Sequence, residues 1–258
     1  MEVGVLAKEI KVLGIIPARY KSSRFPGKPL EKINGIPMIK RTYDQAKKLK
    51  RLSDLIVATD HNKILRYCQS KDIPVVMTSD TCLTGTDRLA EVVNFATYND
   101  YDLYINIQGD EPVIDPQAIS QVISEYEKYG GQYIAYNLYK VIHDENEINN
   151  NAIIKVIVNK NNELMYMSRL SVPYSKNDFK PDYKQQIPIY GYTKESLEIF
   201  SSNKKTLNEI HEDIELLRFI DLGLQIKMCE TNANSISVDV PGDIYKVESF
   251  LNNLHGSR

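Results

Sequence analysis

The sequence predicts an α/β protein built around a doubly wound, mostly parallel sheet. Short apolar runs alternate with longer amphipathic runs over the first half of its 258 residues, and no internal repeat or long low-complexity tract interrupts them. Strands that alternate with helices are joined by parallel crossovers, because each helix carries the chain back to the starting edge of the sheet. Since 42% of the residues are hydrophobic, we expect one large domain over residues 1–258.

The first half contains the predicted parallel strands. Apolar runs predict strands at KVLGIIPA (11–18), DLIVATD (54–60), IPVVMTS (73–79) and YDLYINIQGDEP (101–112). Amphipathic spacing predicts intervening helices over 37–52, 61–71 and 87–99. Open sheets of this kind bind ligands at the carboxyl ends of their strands, so the residues that follow each strand are the first candidates for a site.

The second half changes character and predicts an antiparallel ribbon. Runs rich in Tyr, Ile and Val occupy 132–142 and 152–168, and an NKNN turn lies at 159–162. We interpret residues 132–195 as an excursion from the main sheet. An excursion of this size needs a surface on which to bury its apolar face, so we expect it to form a homodimer.

Three further elements are expected after the ribbon. Helical spacing over 206–223 places four apolar residues on one face. These are Ile210, Ile214, Leu217 and Ile220. A strand at 225–230 and a terminal helix over 241–254 complete the chain.

Composition excludes several classes of function. The formal net charge is -2, so no overall positive field would attract nucleic acid. No stretch approaches the roughly 20 apolar residues that cross a bilayer, and the first eleven residues lack the apolar region of a secretory signal. Cys68, Cys82 and Cys229 are widely spaced and show no metal-binding or disulfide pattern. We therefore expect a cytoplasmic protein without a nucleic-acid or membrane partner.

The segment after the first strand is strongly basic. GIIPARYKSSRFPGKPL places Arg19, Arg24 and Lys28 around a Pro-Gly turn at the carboxyl end of that strand. Such a loop also presents backbone N–H groups, so it can bind an anion. It matches neither GxGxxG nor a Walker loop, because Pro29 follows the lysine and the upstream glycine is absent. We interpret it as a nucleoside triphosphate site, although a solvated surface loop would also explain the charges.

Two carboxylates are expected at the same rim of the sheet. Asp110 follows the strand in INIQGDEP, and Asp239 lies in SVDVPGD, a similar strand-and-turn context. Mg²⁺ bound with a triphosphate is usually held by one or two carboxylates together with phosphate oxygens and water. Taken singly, each aspartate is explained as a helix cap or a turn residue. Together with the basic loop, they predict a metal–triphosphate site.

Seven segments carry a resemblance to a known family. They are IIPARYKSSRFPGKPL, VATD, TGTDRLAEV, INIQGDEPVI, YMSRLSVPY, IYGYT and SVDVP. In this order they resemble the motifs of the 3-deoxy-manno-octulosonate cytidylyltransferases, the CMP-Kdo synthetase family. The resemblance runs from about Gly14 to the terminal helix, and its first and fourth motifs are the most specific. It implies a Rossmann-like fold of the nucleotide-diphospho-sugar transferase type.

The resemblance also implies a reaction, in which CTP and an acidic 2-keto sugar give a CMP-sugar and pyrophosphate for lipopolysaccharide or capsule biosynthesis. The anomeric hydroxyl would attack the α-phosphorus in line, which depends mainly on positioning and charge neutralisation. The implied catalytic residues are Arg19, Lys28, Asp110 and Asp239, with Mg²⁺ on the two aspartates. The implied nucleotide contacts are Pro17, Ala18, Arg19, Arg24, Lys28, Thr84 and Gly85.

On the sugar side, the resemblance implies that Arg88 pairs with the sugar carboxylate, which a guanidinium binds bidentately. Pairing with Asp87 or Glu91 on its own helix is the alternative. The other implied sugar contacts are Gln108, Gln186, Tyr192, Glu212 and Glu215. Packing of the tyrosine in the core and exposure of the glutamates on a helix face are the alternatives for those residues.

One departure from the family lies just before IYGY. The family has His, an apolar residue and Gly there, whereas this chain has Gln186, Ile187 and Pro188. Because the nucleotide residues are retained, we expect the same nucleotide chemistry with a different or modified acceptor, such as an amino-substituted octulosonate or a sialic-type sugar. A non-catalytic nucleotide-binding paralogue is the alternative from another class. It would be expected to lose metal or triphosphate ligands, and none of the four catalytic residues is missing.

Overall fold

The structure is a computed structural model that describes residues 10–21, 25–176, 181–234 and 236–256. The strands are β1 Val12–Ala18, β2 Lys32–Ile33, β3 Ile36–Pro37, β4 Asp54–Thr59, β5 Val75–Met77, β6 Leu103–Ile107, β7 Ala135–Val141, β8 Lys155–Val158, β9 Leu164–Ser168, β10 Lys184–Tyr192 and β11 Ile226–Glu230. The α-helices are α1 Met38–Ala46, α2 Asn62–Gln69, α3 Gly85–Val92, α4 Pro116–Tyr129, α5 Glu145–Ile148, α6 Lys194–Ser202, α7 Leu207–Glu212, α8 Leu217–Asp221 and α9 Asp243–Gly256. Within these described ranges, no helix has both the length and the apolar character of a membrane span.

A mixed central sheet organises the protein, with strand order β11-β7-β10-β6-β1-β4-β5. β1 lies between β6 and β4 and is parallel to both, and β5 adds to β4 in parallel. The predicted parallel half of the sheet is therefore confirmed. β10 is antiparallel to both β6 and β7, and β11 is parallel to β7. The carboxyl ends of β1, β4 and β6 meet at one edge, as a doubly wound sheet requires.

The described part of the segment 132–195 contains antiparallel strand pairs, as predicted. Less of this segment lies outside the main sheet than expected. Its outer strands, β7 and β10, pair with each other and lie within the central sheet. In the described part of this segment, the β8–β9 hairpin lies off the main strand order and is attached through the pair Gln185 and Lys155. The sequence pattern identifies the antiparallel character of β7 but not its second neighbour, β11, which lies about 90 residues further along the chain.

The predicted helix over 206–223 is two short helices. Asp213 ends α7 in the left-handed region with φ 52°, and α8 starts after it. As a result Ile210 is 55% exposed, whereas Ile214 and Leu217 are buried, so the expectation of one continuous apolar face is wrong. The sequence interpretation also did not include α4, whose start is marked by Asp115 capping the N–H of Gln117 ahead of a proline at the first helical position.

A small third core fixes the C-terminal helix next to the segment that follows β1. Two larger apolar clusters pack the main sheet. The third cluster consists of Phe25, Ile33, Met38, Val113, Val238, Val247 and Leu251. It packs α9 onto the β2–β3 hairpin and brings residues 236–240 beside the loop after β1. This packing positions the C-terminal stretch at the carboxyl edge of the sheet.

Close packing of α4 on β10 gives a test of the fold. A Cβ at Gly191 would lie 2.7 Å from Cγ1 of Val122, a short β-branched side chain that cannot swing away. We expect Gly191→Ala to lower the free energy of unfolding by about 1–3 kcal/mol in denaturant unfolding. Gly131→Ala is the matched control, because a Cβ there meets nothing within 4 Å. Equal stability of the two variants would contradict this packing.

Candidate active site

A cleft of about 400 Å³ opens at the carboxyl ends of β1 and β6. Its walls are the loop after β1, the start of α3, the turn after β6, the α7–α8 connection and the stretch before α9. The structure brings these predicted site residues together along it: Pro17, Ala18, Arg19, Lys28, Thr84, Gly85, Arg88, Gln108, Asp110, Glu215 and Asp239. Residues from opposite ends of the sequence therefore share one site.

Lys28 is the link between three distant segments of this cleft. Its ammonium lies 2.7 Å from Oδ2 of Asp110 and 2.7 Å from the carbonyl oxygen of Val238. The backbone N–H of Val238 donates in turn to the carbonyl oxygen of Asp110 at 3.0 Å. These contacts bring Asp239, the next residue after Val238, to the same cleft as Asp110.

The turn that carries Asp239 is fixed by the first residue of α9. Oδ2 of Asp243 accepts the backbone N–H groups of Asp239 and Val240, at 3.0 and 3.1 Å. No group of three or more His, Cys, Asp or Glu side chains that could hold a metal occurs among the described residues. Two carboxylates on one cleft fit a Mg²⁺ ion, which takes few protein ligands and completes its shell with phosphate oxygens and water.

The loops after β1 and β6 approach each other backbone to backbone. A Cβ at Gly109 would lie 2.7 Å from the carbonyl oxygen of Pro17, so only glycine fits this position without displacing the backbone. Next to it, the side-chain amide of Gln108 donates to Oδ1 of Asn106 at 3.1 Å. This close approach places Gln108 and Asp110 beside the basic loop.

Arg88 reaches the cleft from inside α3. It is 2% exposed, and its guanidinium donates to Oγ1 of Thr78, to the carbonyl oxygen of Ser79 at 3.2 Å and to Oδ2 of Asp60 at 3.1 Å. Arg88 is thus held by three partners and is also one of the residues that line the cleft.

In the contacts described above, Arg88 pairs with Asp60 and not with Asp87 or Glu91, the acidic residues near it on α3. Asp87 forms a capping box with Thr84 at the start of the helix. Glu91 accepts the backbone N–H of Ser79 with both oxygens at 2.9 Å. The pairing on its own helix considered for Arg88 is therefore replaced by a pairing across the sheet edge with Asp60.

Three predicted sugar contacts are not on the cleft wall. Tyr192 is fully buried, with its hydroxyl 3.4 Å from Oγ1 of Thr86. Glu212 accepts from the hydroxyl of Ser168 at 2.7 Å, and Gln186 donates to the side chain of Asn137 at 3.2 Å. Their predicted contacts with a sugar stay predictions, and so does the role of Arg24, which lies outside the described residues.

Sequence reasoning missed two charged residues on the cleft, Lys205 and Asp213. Asp213 is at the left-handed break between α7 and α8, and the apolar period on both sides of it concealed that break. Lys205 follows another lysine in a short connection, where nothing in the local pattern separates a ligand-facing lysine from a solvated one.

The fold and this cleft define a class of protein. A doubly wound sheet with cations and two carboxylates at its carboxyl edge is suited to binding a nucleotide together with a metal ion. The chain belongs to the cytidylyltransferase family, whose model, described as Cytidylyltransferase, matches residues 13–229. The protein is therefore a nucleotidyltransferase, and the family resemblance predicted from its motifs is confirmed.

Individual relatives agree with this assignment. A Shewanella baltica protein is 38% identical over 237 residues, covering 92% of this chain and 97% of its own length. A Shewanella frigidimarina protein is 39% identical over 244 residues, covering 94% and 99%. Both are named 8-amino-3,8-dideoxy-manno-octulosonate cytidylyltransferase. The solved structure of a CMP:2-keto-3-deoxy-manno-octonic acid synthetase complexed with CTP has a TM-score of 0.87 and 33% identity, covering 94% of this chain and 99% of that one.

The carboxyl group of Glu215 gives a pH-dependent test of the site. Burial raises its pKa above the ordinary 4.5, although it accepts the N–H of Thr86 at 3.1 Å. A raised pKa in the folded state means that the ionised form costs stability above that pKa, and that this cost disappears as the pH falls toward 4.5. We expect Glu215→Gln to be more stable than wild type at pH 7 to 8, with an advantage that shrinks at lower pH.

Denaturant unfolding of both proteins from pH 8 down to pH 4.5 measures the difference directly. Glu195→Gln, which changes an exposed glutamate on α6, is the matched control. A stability difference for Glu215→Gln that does not change with pH would contradict the assignment.

Proposed function

We propose that this protein transfers CMP from CTP to the anomeric hydroxyl of an acidic 2-keto sugar and releases pyrophosphate. The observation that carries the proposal is the convergence of Arg19, Lys28, Asp110 and Asp239 on one cleft of a cytidylyltransferase fold. The solved relative at 33% identity is described as a CMP:2-keto-3-deoxy-manno-octonic acid synthetase complexed with CTP, which supports both substrates.

Arg19 and Lys28 bind the triphosphate in this proposal. Lys28 is held by Asp110 and Val238 at 2.7 Å each, so its charge is already in place when the nucleotide arrives. Preorganised cations stabilise the charge that develops on the leaving pyrophosphate without a reorganisation cost. The backbone around Pro17, Ala18, Thr84 and Gly85 forms the remaining nucleotide contacts.

Asp110 and Asp239 would hold Mg²⁺. When bound, the ion polarises the α-phosphate and favours ionisation of the attacking hydroxyl. The contribution of the chain is to fix both carboxylates on one cleft through the Lys28 link and the Asp243 turn. Positioning and charge neutralisation then account for most of the catalysis expected in phosphoryl transfer.

The acceptor that we favour is the amino-substituted octulosonate, with Kdo as the second candidate. The two Shewanella relatives, at 38 and 39% identity, carry the amino-sugar name. Arg88 lines the cleft together with Gln108 and Glu215, and its guanidinium is suited to the sugar carboxylate.

The segment that departs from the family lies on β10, which pairs with β6, the strand that leads into Gln108 and Asp110 of the cleft. The ladder of β10 is irregular between Ile187 and Tyr190, where Pro188 has no N–H to donate. Asn137 compensates by donating to the carbonyl oxygens of Ile187 and Ile189, at 2.9 and 2.7 Å. Burial raises the pKa of the Tyr190 hydroxyl, and the charges of Glu215, Asp110 and Glu111 raise it further. Tyr190 lies two residues after Pro188 on the same strand, so we expect a change at 186–188 to reach the sugar side through Tyr190.

We also propose a cytoplasmic homodimer. CTP is a cytoplasmic nucleotide, which supports that location. Among the described residues of the segment 132–195, Met165, Leu170 and Tyr174 are apolar side chains that are 56, 66 and 87% exposed in the single chain. Exposed apolar residues in this number on one segment favour an interface between copies.

Asp110→Asn is expected to reduce pyrophosphate release from CTP and acceptor by at least about a hundredfold, because the amide is a poor ligand for the proposed ion. Asp115→Asn is the matched control: it makes the same change in the same β6–α4 connection, but at a helix N-cap, where Asn serves as well as Asp. A continuous pyrophosphate assay and a thermal unfolding curve compare the two variants. Near wild-type turnover by Asp110→Asn would show that the metal assignment is wrong.

The acceptor is tested by kcat/KM for 8-amino-3,8-dideoxy-manno-octulosonate and for Kdo. We expect the amino sugar to be the better substrate of the wild type, and the double variant Gln186→His, Pro188→Gly to shift the ratio toward Kdo by about tenfold, as expected for altered pocket contacts. An unchanged ratio would reject the role given to this segment. Binding of CTP without release of pyrophosphate from it in the presence of any acidic 2-keto sugar would favour the non-catalytic alternative.

A further inference from the structure

Asp60 connects the two halves of the site with a single carboxylate. It follows β4, next to the end of β1, and its side chain is 10% exposed. Oδ1 accepts the backbone N–H of Tyr20 at 3.1 Å, and Oδ2 accepts from the Arg88 guanidinium at 3.1 Å. Tyr20 is the residue after Arg19, so one side chain contacts both the basic loop and the proposed sugar-binding arginine.

The strand end that carries Asp60 is itself firmly held. The hydroxyl of Thr59 donates to the carbonyl oxygen of Ala18 at 2.7 Å, across the β1–β4 pair. The backbone N–H of Thr78 donates to the carbonyl oxygen of Thr59 at 2.8 Å, and the hydroxyl of Thr78 accepts from Arg88. The Asp60 carboxylate is thus placed by sheet hydrogen bonds and not by a flexible loop.

The backbone of Tyr20, which Asp60 contacts, lies at the start of the basic loop and is hydrogen-bonded to its end. Its carbonyl oxygen accepts the N–H of Gly27 at 2.9 Å, which joins the two ends of the loop. Its ring stacks on His61 with centroids 3.9 Å apart and lies under the ammonium of Lys63 at 5.2 Å. Because Arg19 precedes Tyr20 and Lys28 follows Gly27, the position of the Tyr20 backbone also determines the backbone positions of Arg19 and Lys28.

We propose that Asp60 is a positioning residue that fixes the nucleotide-binding loop and the Arg88 side chain relative to each other. It is not among the residues that line the cleft, so it acts through its two neighbours. Arg88 is 2% exposed and keeps its charge in place because Asp60 neutralises it. This inference rests on the proposed roles of Arg19, Lys28 and Arg88.

The two contacts of Asp60 can be separated by substitution. Asn at this position keeps an acceptor for the N–H of Tyr20, but turns an amide donor toward the Arg88 guanidinium. Ala removes both contacts. We expect Asp60→Asn to raise KM for the sugar by about a hundredfold, the size of effect caused by small misplacements of a binding group, and to change KM for CTP by less than about threefold. Asp60→Ala is expected to raise both the KM for the sugar and the KM for CTP.

The experiment combines steady-state kinetics with both substrates varied, titration of Mg²⁺–CTP into each variant and thermal unfolding. Asp54→Asn is the matched control, because it makes the same change at the other end of β4, where Asp54 accepts from the hydroxyl of Tyr101. It is expected to leave both KM values unchanged. Equal effects of Asp60→Asn on both substrates, or none on either, would overturn the inference.

Two outcomes keep this test separate from that of the proposed function. If the wild type transfers CMP to no acidic 2-keto sugar, the proposed acceptor is wrong, and weaker Mg²⁺–CTP binding by Asp60→Ala than by Asp60→Asn still supports the loop contact. Equal affinities of Asp60→Ala and Asp60→Asn for Mg²⁺–CTP would reject the proposed role of the loop contact. If Asp60→Asn does not fold, Asp60→Glu keeps the charge but displaces the carboxylate, and a wild-type KM for the sugar in that variant would contradict the positioning role.

Discussion

The site depends on one ammonium group that joins three segments of the chain. Lys28 contacts Asp110, 82 residues away, and Val238, 210 residues away, both at 2.7 Å. The third apolar cluster packs Val238 against Phe25, Ile33 and Met38, so the C-terminal helix is held beside the basic loop. Together with the backbone hydrogen bond between Val238 and Asp110, this link fixes the segments that carry the two aspartates relative to each other.

Two salt bridges, Lys28 with Asp110 and Arg88 with Asp60, pair two cations of the site with carboxylates. The carboxylate of Asp110 neutralises Lys28, and Asp60 neutralises Arg88. A divalent ion would neutralise part of the charge of a triphosphate, and Arg19 and Lys205 on the same cleft could pair with the rest. Charge balance of this kind suits a reaction whose transition state spreads charge over phosphate oxygens.

Sequence reasoning succeeded where the signal is local and failed where the pairing is distant. The parallel half, Lys28, Asp110 and Asp239 follow from apolar runs that end in charged turns, and the carboxyl edge of a sheet brings such turns together. The positions of β7 beside β11 and of Arg88 beside Asp60 depend on neighbours far along the chain, which periodicity does not show. The break at Asp213 was concealed because apolar spacing continues through it.

The central claim is that Asp110 and Asp239 hold one divalent ion on a cytidine triphosphate. The most direct measurement is the anomalous scattering of Mn²⁺, a substitute that also prefers oxygen ligands, in crystals of the protein soaked with CTP. The account predicts a single strong peak in contact with one oxygen of each aspartate and with a phosphate oxygen. A peak held by the phosphates alone, or by residues outside this cleft, would contradict it.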